Sequence, residues 1–217
     1  MWLRSDRKWA AAALAGVLAA AEFADPLESR ADLVGAAPFT YGAQQIGLLA
    51  GGGFGIPMFD NRDDRENRTR MFGVFGRWGI GLSDPLARGA FYEGNVELDV
   101  EPMVLLNYQP RDGWAAGGSL LLHYNFLAAG SGLRLVPFIE GGAGASDLAF
   151  RLRDQSDGFT FPLQASIGIH RFVTVHSAIT ASVGYYHLSN AGLRYPNTGI
   201  NAVMVRIGMT FFPDTFL

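Results

Sequence analysis

The 217-residue chain contains no cysteine, so no disulfide supports its fold and no thiol is there to misoxidise outside the cytoplasm. Its single lysine is Lys8 and its formal net charge is −3, which leaves no basic footprint for the phosphates of a nucleic acid. Past residue 20 no apolar run approaches the roughly 18 residues that mark a transmembrane helix. Yet hydrophobic residues make up 49% of the chain, alongside 28 glycines and 16 phenylalanines. Apolar content this high, dispersed by alternation, is what strands with one face in lipid and one in a polar interior produce.

The first residues stand apart. Arg4, Arg7 and Lys8 precede an apolar run from Trp9 to Ala20 that ends in small residues, the layout of a secretory signal peptide. Ala19 and Ala21 satisfy the small-residue rule for cleavage after Ala21, with Ala24 as the alternative. The expected plan is a signal over 1–21, an N-terminal periplasmic segment over 22–43 and one barrel domain over 44–217. Loss of the leader removes the only lysine and two arginines, so the mature chain is more acidic than the precursor.

Strand patterns fall at Gln44 to Phe54, Arg70 to Leu82, Ala90 to Leu106, Gly113 to Phe126, Leu133 to Asp147, Phe159 to Val173, Ser177 to Ser189 and Asn201 to Phe212. Together they predict an all-β protein, an eight-stranded antiparallel up-and-down transmembrane β-barrel. In the third strand Glu93, Asn95, Glu97, Asp99 and Glu101 share one face, and Tyr92, Val96, Leu98, Val100 and Val104 the other. A run of polar positions on one face cannot meet lipid, so that face is interior. Phe72, Val74, Trp78, Ile80 and Leu82 place the second strand's apolar face outward and Arg77 inward.

Interior carboxylates, with Glu140 of the fifth strand, need cations, and the candidates are Arg77, Arg134 and Arg206. Eight strands enclose little more than side chains, so a core plugged by ion pairs is expected rather than a channel. An even strand count returns both termini to the periplasm. The long connection Gly55 to Thr69 then reads as external, and the short ones at Leu127 to Gly132 and Thr174 to His176 as periplasmic turns.

In this orientation the seventh strand emerges externally as Tyr186-His187-Leu188-Ser189-Asn190-Ala191-Gly192. Ile179, Ala181, Val183 and Tyr185 form its lipid face, and the same period places His187 and Ser189 on that face. Strand eight, with Val203, Val205, Ile207, Met209 and Phe211 outward, brings Asn201 beside them. A serine hydroxyl is a weak nucleophile that needs an adjacent base, and the base needs a third group to hold its tautomer. Ser189, His187 and Asn201 suit those roles, and Asn190 with the backbone around Ala191 and Gly192 suits an oxyanion hole.

The stretch His187 to Gly192, followed by Pro196-Asn197 and Gly199-Ile200, resembles the lipid A 3-O-deacylases of Gram-negative outer membranes, which are eight-stranded barrels. The resemblance implies His187 as base, Ser189 as nucleophile and Asn190 as part of the oxyanion hole. It also implies removal of an ester-linked acyl chain, at the 3-position, from lipid A or lipopolysaccharide, with no cofactor. Where the family pattern has a glutamate this chain has Asn201. An amide orients a histidine but does not stabilise imidazolium as a carboxylate does, so lower activity or an altered substrate preference is expected.

The remaining candidates read as structural. His123 and His170 face the interior and His176 sits in a turn, without metal-ligand spacing. The glycines at 51–55 and 141–144 lack the lysine and helix of a phosphate loop, and the run from Asp60 to Glu66 lacks EF-hand spacing. The competing functional reading is a non-enzymatic barrel with a membrane-stabilising or surface-binding role. The oligomeric state stays open, a homodimer included.

Overall fold

The computed structural model describes residues 37–56, 69–127 and 134–213. The expected signal peptide and the charged residues from Asp60 to Arg68 lie outside the described residues. The elements are a short 3-10 turn at Ala37–Phe39, then β1 (Gln44–Gly55), β2 (Arg70–Gly81), β3 (Gly94–Gln109), β4 (Gly113–Phe126), β5 (Leu135–Ala149), β6 (Gly158–Phe172), β7 (Ser177–Ser189) and β8 (Ile200–Phe211). Each strand pairs antiparallel with its sequence neighbour, and β8 returns to β1, from Ile46 opposite Phe211 to Gly55 opposite Ala202. Closure leaves no unpaired edge, the condition for a sheet in lipid.

The eight expected strands are all present, with two corrections. β3 starts at Gly94 rather than Ala90, because the amides of Ala90 and Glu93 turn back onto the carbonyls of Ala87 and Ala90. Glu93 therefore belongs to a turn, accepting from the Gly89 amide at 2.7 Å, and is not an interior charge. Connection length also separates the two ends less cleanly than expected: 82–93 is long at the end assigned to the periplasm, and 110–112 is a tight hairpin at the opposite end.

Outward residues are apolar through the middle of the wall: Leu48, Leu120, Leu122, Ile139, Ile167, Ile207 and Met209 are all exposed. Aromatic residues stand near both rims, Tyr41, Phe91 and Tyr92 at one and Tyr108, Trp114, Phe159 and Tyr195 at the other. An apolar band between aromatic girdles is the surface of a barrel solvated by lipid. Among the described residues no helix is long and apolar enough to cross a membrane, so the strands do the crossing.

The interior is layered. Its centre is a ring of alternating charge in which Arg77 and Arg206 each meet both Glu101 and Glu140. Arg77 Nη1 lies 2.8 Å from Glu140, and Arg206 Nη1 lies 3.0 and 3.1 Å from the two Glu101 oxygens. Ser166 and Ser182 accept two further guanidinium hydrogens of Arg206. Gly51 faces Arg206 across the β1–β8 seam, where an added Cβ would come within 2.8 Å of Arg206 Cγ and 2.3 Å of the Val205 carbonyl oxygen. Below the ring His123 lies 3.1 Å from Asp99, and Gln45 donates to Glu97 at 2.7 Å. Arg134 precedes β5, and the inward carboxylates Asp99, Glu101 and Glu140 meet Arg77, Arg206 and the His123 imidazole.

The expected plug of ion pairs is only the middle of the core. Toward the end where β7 finishes it is capped by Phe75, Leu105, Leu148, Leu188 and Met204, and toward the other by Phe39, Val136, Phe172 and Phe212. Phe39 enters from the 3-10 turn and packs at 6.0 and 5.6 Å on the rings of Phe172 and Phe212. Hydrocarbon at both ends of the charged layer withdraws it from water, which strengthens pairing and penalises any missing partner.

Replacing Arg206 by alanine leaves Glu101 and Glu140 sharing one guanidinium. Urea unfolding of the refolded barrel in lipid vesicles should show a loss of about 3–5 kcal/mol, and Arg206→Lys should recover only part of it because an ammonium lacks the two-sided fork.

Candidate active site

β7 ends at Ser189 and β8 begins at Ile200, and their register sets His187 directly opposite Asn201. The cross-strand pair is joined side chain to side chain, with His187 Nδ1 2.7 Å from Asn201 Oδ1. An amide oxygen only accepts, so in this contact Nδ1 carries a proton, and in the neutral imidazole the lone pair then lies on Nε2. Ser189 lies two residues further along the same face, a separation of roughly 6–7 Å along a strand. His187, Ser189 and Asn201 are all half-buried, on the outer wall beside Phe161 and Leu163 of β6. Among the described residues no hydrogen bond joins the Ser189 hydroxyl to the imidazole.

A residue not singled out in the sequence completes the group: the Tyr185 hydroxyl donates to the same Asn201 oxygen that His187 uses. The Tyr185 and His187 rings lie nearly parallel, 6.3 Å apart. The signal was present, since Tyr185 precedes His187 by two on the same face, but its polar tip was hidden by its membership of an apolar set.

Asn190 follows Ser189 and is buried, 1% exposed. Its amide nitrogen donates to Ser156 Oγ at 2.8 Å and to the Arg194 carbonyl at 2.9 Å, while its oxygen accepts from the Gly192 amide at 3.0 Å. Its backbone amide donates to Asn197 at 3.0 Å. In this arrangement the donors of Asn190 and the Gly192 amide fasten the loop. Of the three residues expected at an oxyanion hole, Ala191 is the one whose amide has no partner among the described residues. Ala191 and Gly192 both have positive φ, 52° and 81°, which turns the chain sharply just after the serine.

The loop is braced by the β5–β6 connection, a contribution with no signal in the local sequence. Thr198 donates twice to the Asp154 carbonyl, and buried Gln155 accepts from the Gly199 amide at 2.9 Å. Gly199, at φ 76°, is pressed against the imidazole so closely that an added Cβ would sit 2.7 Å from His187 Cε1. The remaining histidines play no part here. His170 is buried against Thr180, and His176 Nδ1 lies 3.2 Å from the Phe212 carbonyl oxygen. His123 does join Glu97 and Asp99 in a cluster of potential metal ligands, which spacing along the chain did not reveal because the register of β3 with β4 creates it. Its two ring nitrogens are occupied by Asp99 and Asn125, each at 3.1 Å, so the cluster closes on itself as interior packing.

A closed eight-stranded sheet with an apolar outside and a charged, sealed inside defines an outer-membrane β-barrel. Residues 73–210, more than half of the chain, match the family model described as lipid A 3-O-deacylase (PagL), and the chain belongs to that family. No curated protein matches it significantly in sequence. Among solved structures it is similar to the outer membrane enzyme PagL, at 16% identity and a TM-score of 0.51 over 76% of this chain and 97% of that one. The N-terminal β-barrel domain of Pseudomonas aeruginosa OprF (17% identity, TM-score 0.48, 80% and 98% covered) and Neisserial surface protein A (13%, 0.49, 77% and 96%) are also similar. At such identities the structural likeness is one of fold.

Gly199→Ala should combine a disfavoured φ with displacement of the ring. The expected outcome is a folded barrel, destabilised by about 1 kcal/mol or more in urea titration, whose His187 Hε1 proton resonance in detergent is shifted. An unmoved resonance would show that the ring is not held by this contact.

Proposed function

We propose that the chain is a serine esterase that removes an ester-linked acyl chain from lipid A in the outer leaflet. The observation that carries this reading is the His187–Asn201 contact, which leaves Nε2 as the free base on the wall that also bears Ser189. His187 accepts the Ser189 proton as Oγ attacks the ester carbonyl, and the imidazolium then gives it to the departing sugar oxygen, which leaves as a hydroxyl. In this reading the unpartnered Ala191 amide meets the tetrahedral oxyanion, and Asn190 acts by holding Ala191 and Gly192 in their turn. Water, activated by the same imidazole, releases the fatty acid and regenerates Ser189. No cofactor enters these steps.

The lipid-facing position supports a lipid substrate, because an ester at the boundary between sugar and acyl chains can reach the wall without leaving the bilayer. Preference for the 3-position is carried over from the family. We further take residues 1–21 as a cleaved leader and both termini as periplasmic, which sets the β7–β8 loop at the cell surface.

Expression in a host with intact lipid A should reduce the lipid A mass by one hydroxyacyl chain, and Ser189→Ala should abolish the change. Identical spectra with and without the protein would leave a non-enzymatic barrel. Asn201→Asp keeps the geometry and adds the charge that stabilises imidazolium, so it should raise kcat about tenfold or more in a detergent assay. A loss of rate would count against Asn201 as the orienting group.

A further inference from the structure

We propose that Tyr185 is a positioning residue that holds the Asn201 amide with its oxygen toward His187, supplying what a carboxylate would provide unaided. The proposal rests on reading His187 as the base, and it extends that reading to a residue with no assigned role. A carboxylate offers an acceptor oxygen whichever way it turns. A primary amide does not: rotated by half a turn, Asn201 would present N–H to Nδ1, moving the ring proton to Nε2 and removing the lone pair that Ser189 needs. The orientation of this amide is therefore decisive for the chemistry, and within the His187–Asn201 pair alone both orientations form one hydrogen bond.

Tyr185 breaks that symmetry. Its hydroxyl donates to Asn201 Oδ1, the same atom that accepts from His187 Nδ1. A phenol is a better donor than acceptor, because its oxygen lone pair is delocalised into the ring. In the rotated arrangement the phenolic proton would lose this acceptor, and the neighbours across the strands, Ala165 and Val203, offer no side-chain acceptor in its place. The cost of an unmet donor on a lipid-facing surface therefore falls on the wrong tautomer. The near-parallel packing of Tyr185 along the imidazole fixes where the hydroxyl stands relative to the amide.

The test reads the tautomer directly. Nitrogen-15 spectra of the His187 ring in the refolded, full-length barrel, assigned by the signal lost in His187→Gln, should show Nδ1–H almost alone in the parent. Tyr185→Phe should convert roughly a third or more of the population to Nε2–H and lower kcat about tenfold with KM within about twofold. In an Asn201→Asp background, where both acceptor atoms are oxygens, the same Tyr185→Phe change should leave the tautomer unmoved and kcat within about twofold. An unchanged tautomer in Tyr185→Phe, or equal losses of rate in both backgrounds, would overturn the proposal and leave Tyr185 a packing residue. A tautomer that responds as described in a protein that hydrolyses no ester would uphold Tyr185's part and remove instead the assignment of Ser189 as nucleophile.

Discussion

The structure depends on one constraint: charge sealed inside a shell that faces hydrocarbon must be neutralised within the shell. Arg77 and Arg206 meet Glu101 and Glu140 from four different strands, and of the pairs they form only Arg77–Glu101 joins strands that also share backbone hydrogen bonds. The pairing cannot be loosened locally, because the apolar caps around Phe75 and Phe39 deny water to any partner set free. The glycine at position 51 belongs to the same constraint, giving up a side chain so that Arg206 can lie against the neighbouring strand.

That rigidity passes outward. An interior that admits one packing fixes the inward set of every strand, and period two then fixes the outward set. His187 and Asn201 meet across β7 and β8 because Arg206, five residues further along β8, pins its strand from within opposite Ser182. The site is thus built by register and refined by a loop whose own hydrogen bonds converge on Asn190.

The parts of the molecule governed by alternation were legible in the sequence. Strand number, the inward Arg77 and Glu101, and the outward His187 with Asn201 beside it all follow from period two and the demand that lipid meet apolar side chains. The parts governed by turns were not. Glu93 continued the polar face of β3 on paper, but two turn hydrogen bonds end the strand first. Asn190 lay where a catalytic donor was expected, yet its donors reach Ser156 and Arg194, and contacts with the β5–β6 connection have no period to reveal them. Tyr185 fell between the two cases, its position correct and its hydroxyl invisible to a pattern that sorts residues only as apolar or polar.

Among the described residues the candidate site lies on the outer face of a wall. A cleft selects by shape, whereas a wall meets what diffuses past in the plane of the leaflet. What such a site can distinguish is depth. Ser189 ends its strand, with Phe161 and Leu163 beside it on the membrane side and Tyr195 exposed in the loop above. For the proposed esterase the height at which β7 stops would act as a ruler, and lengthening or shortening that strand by a residue pair would move the hydroxyl to a different stratum of the bilayer without altering a single group of the candidate site.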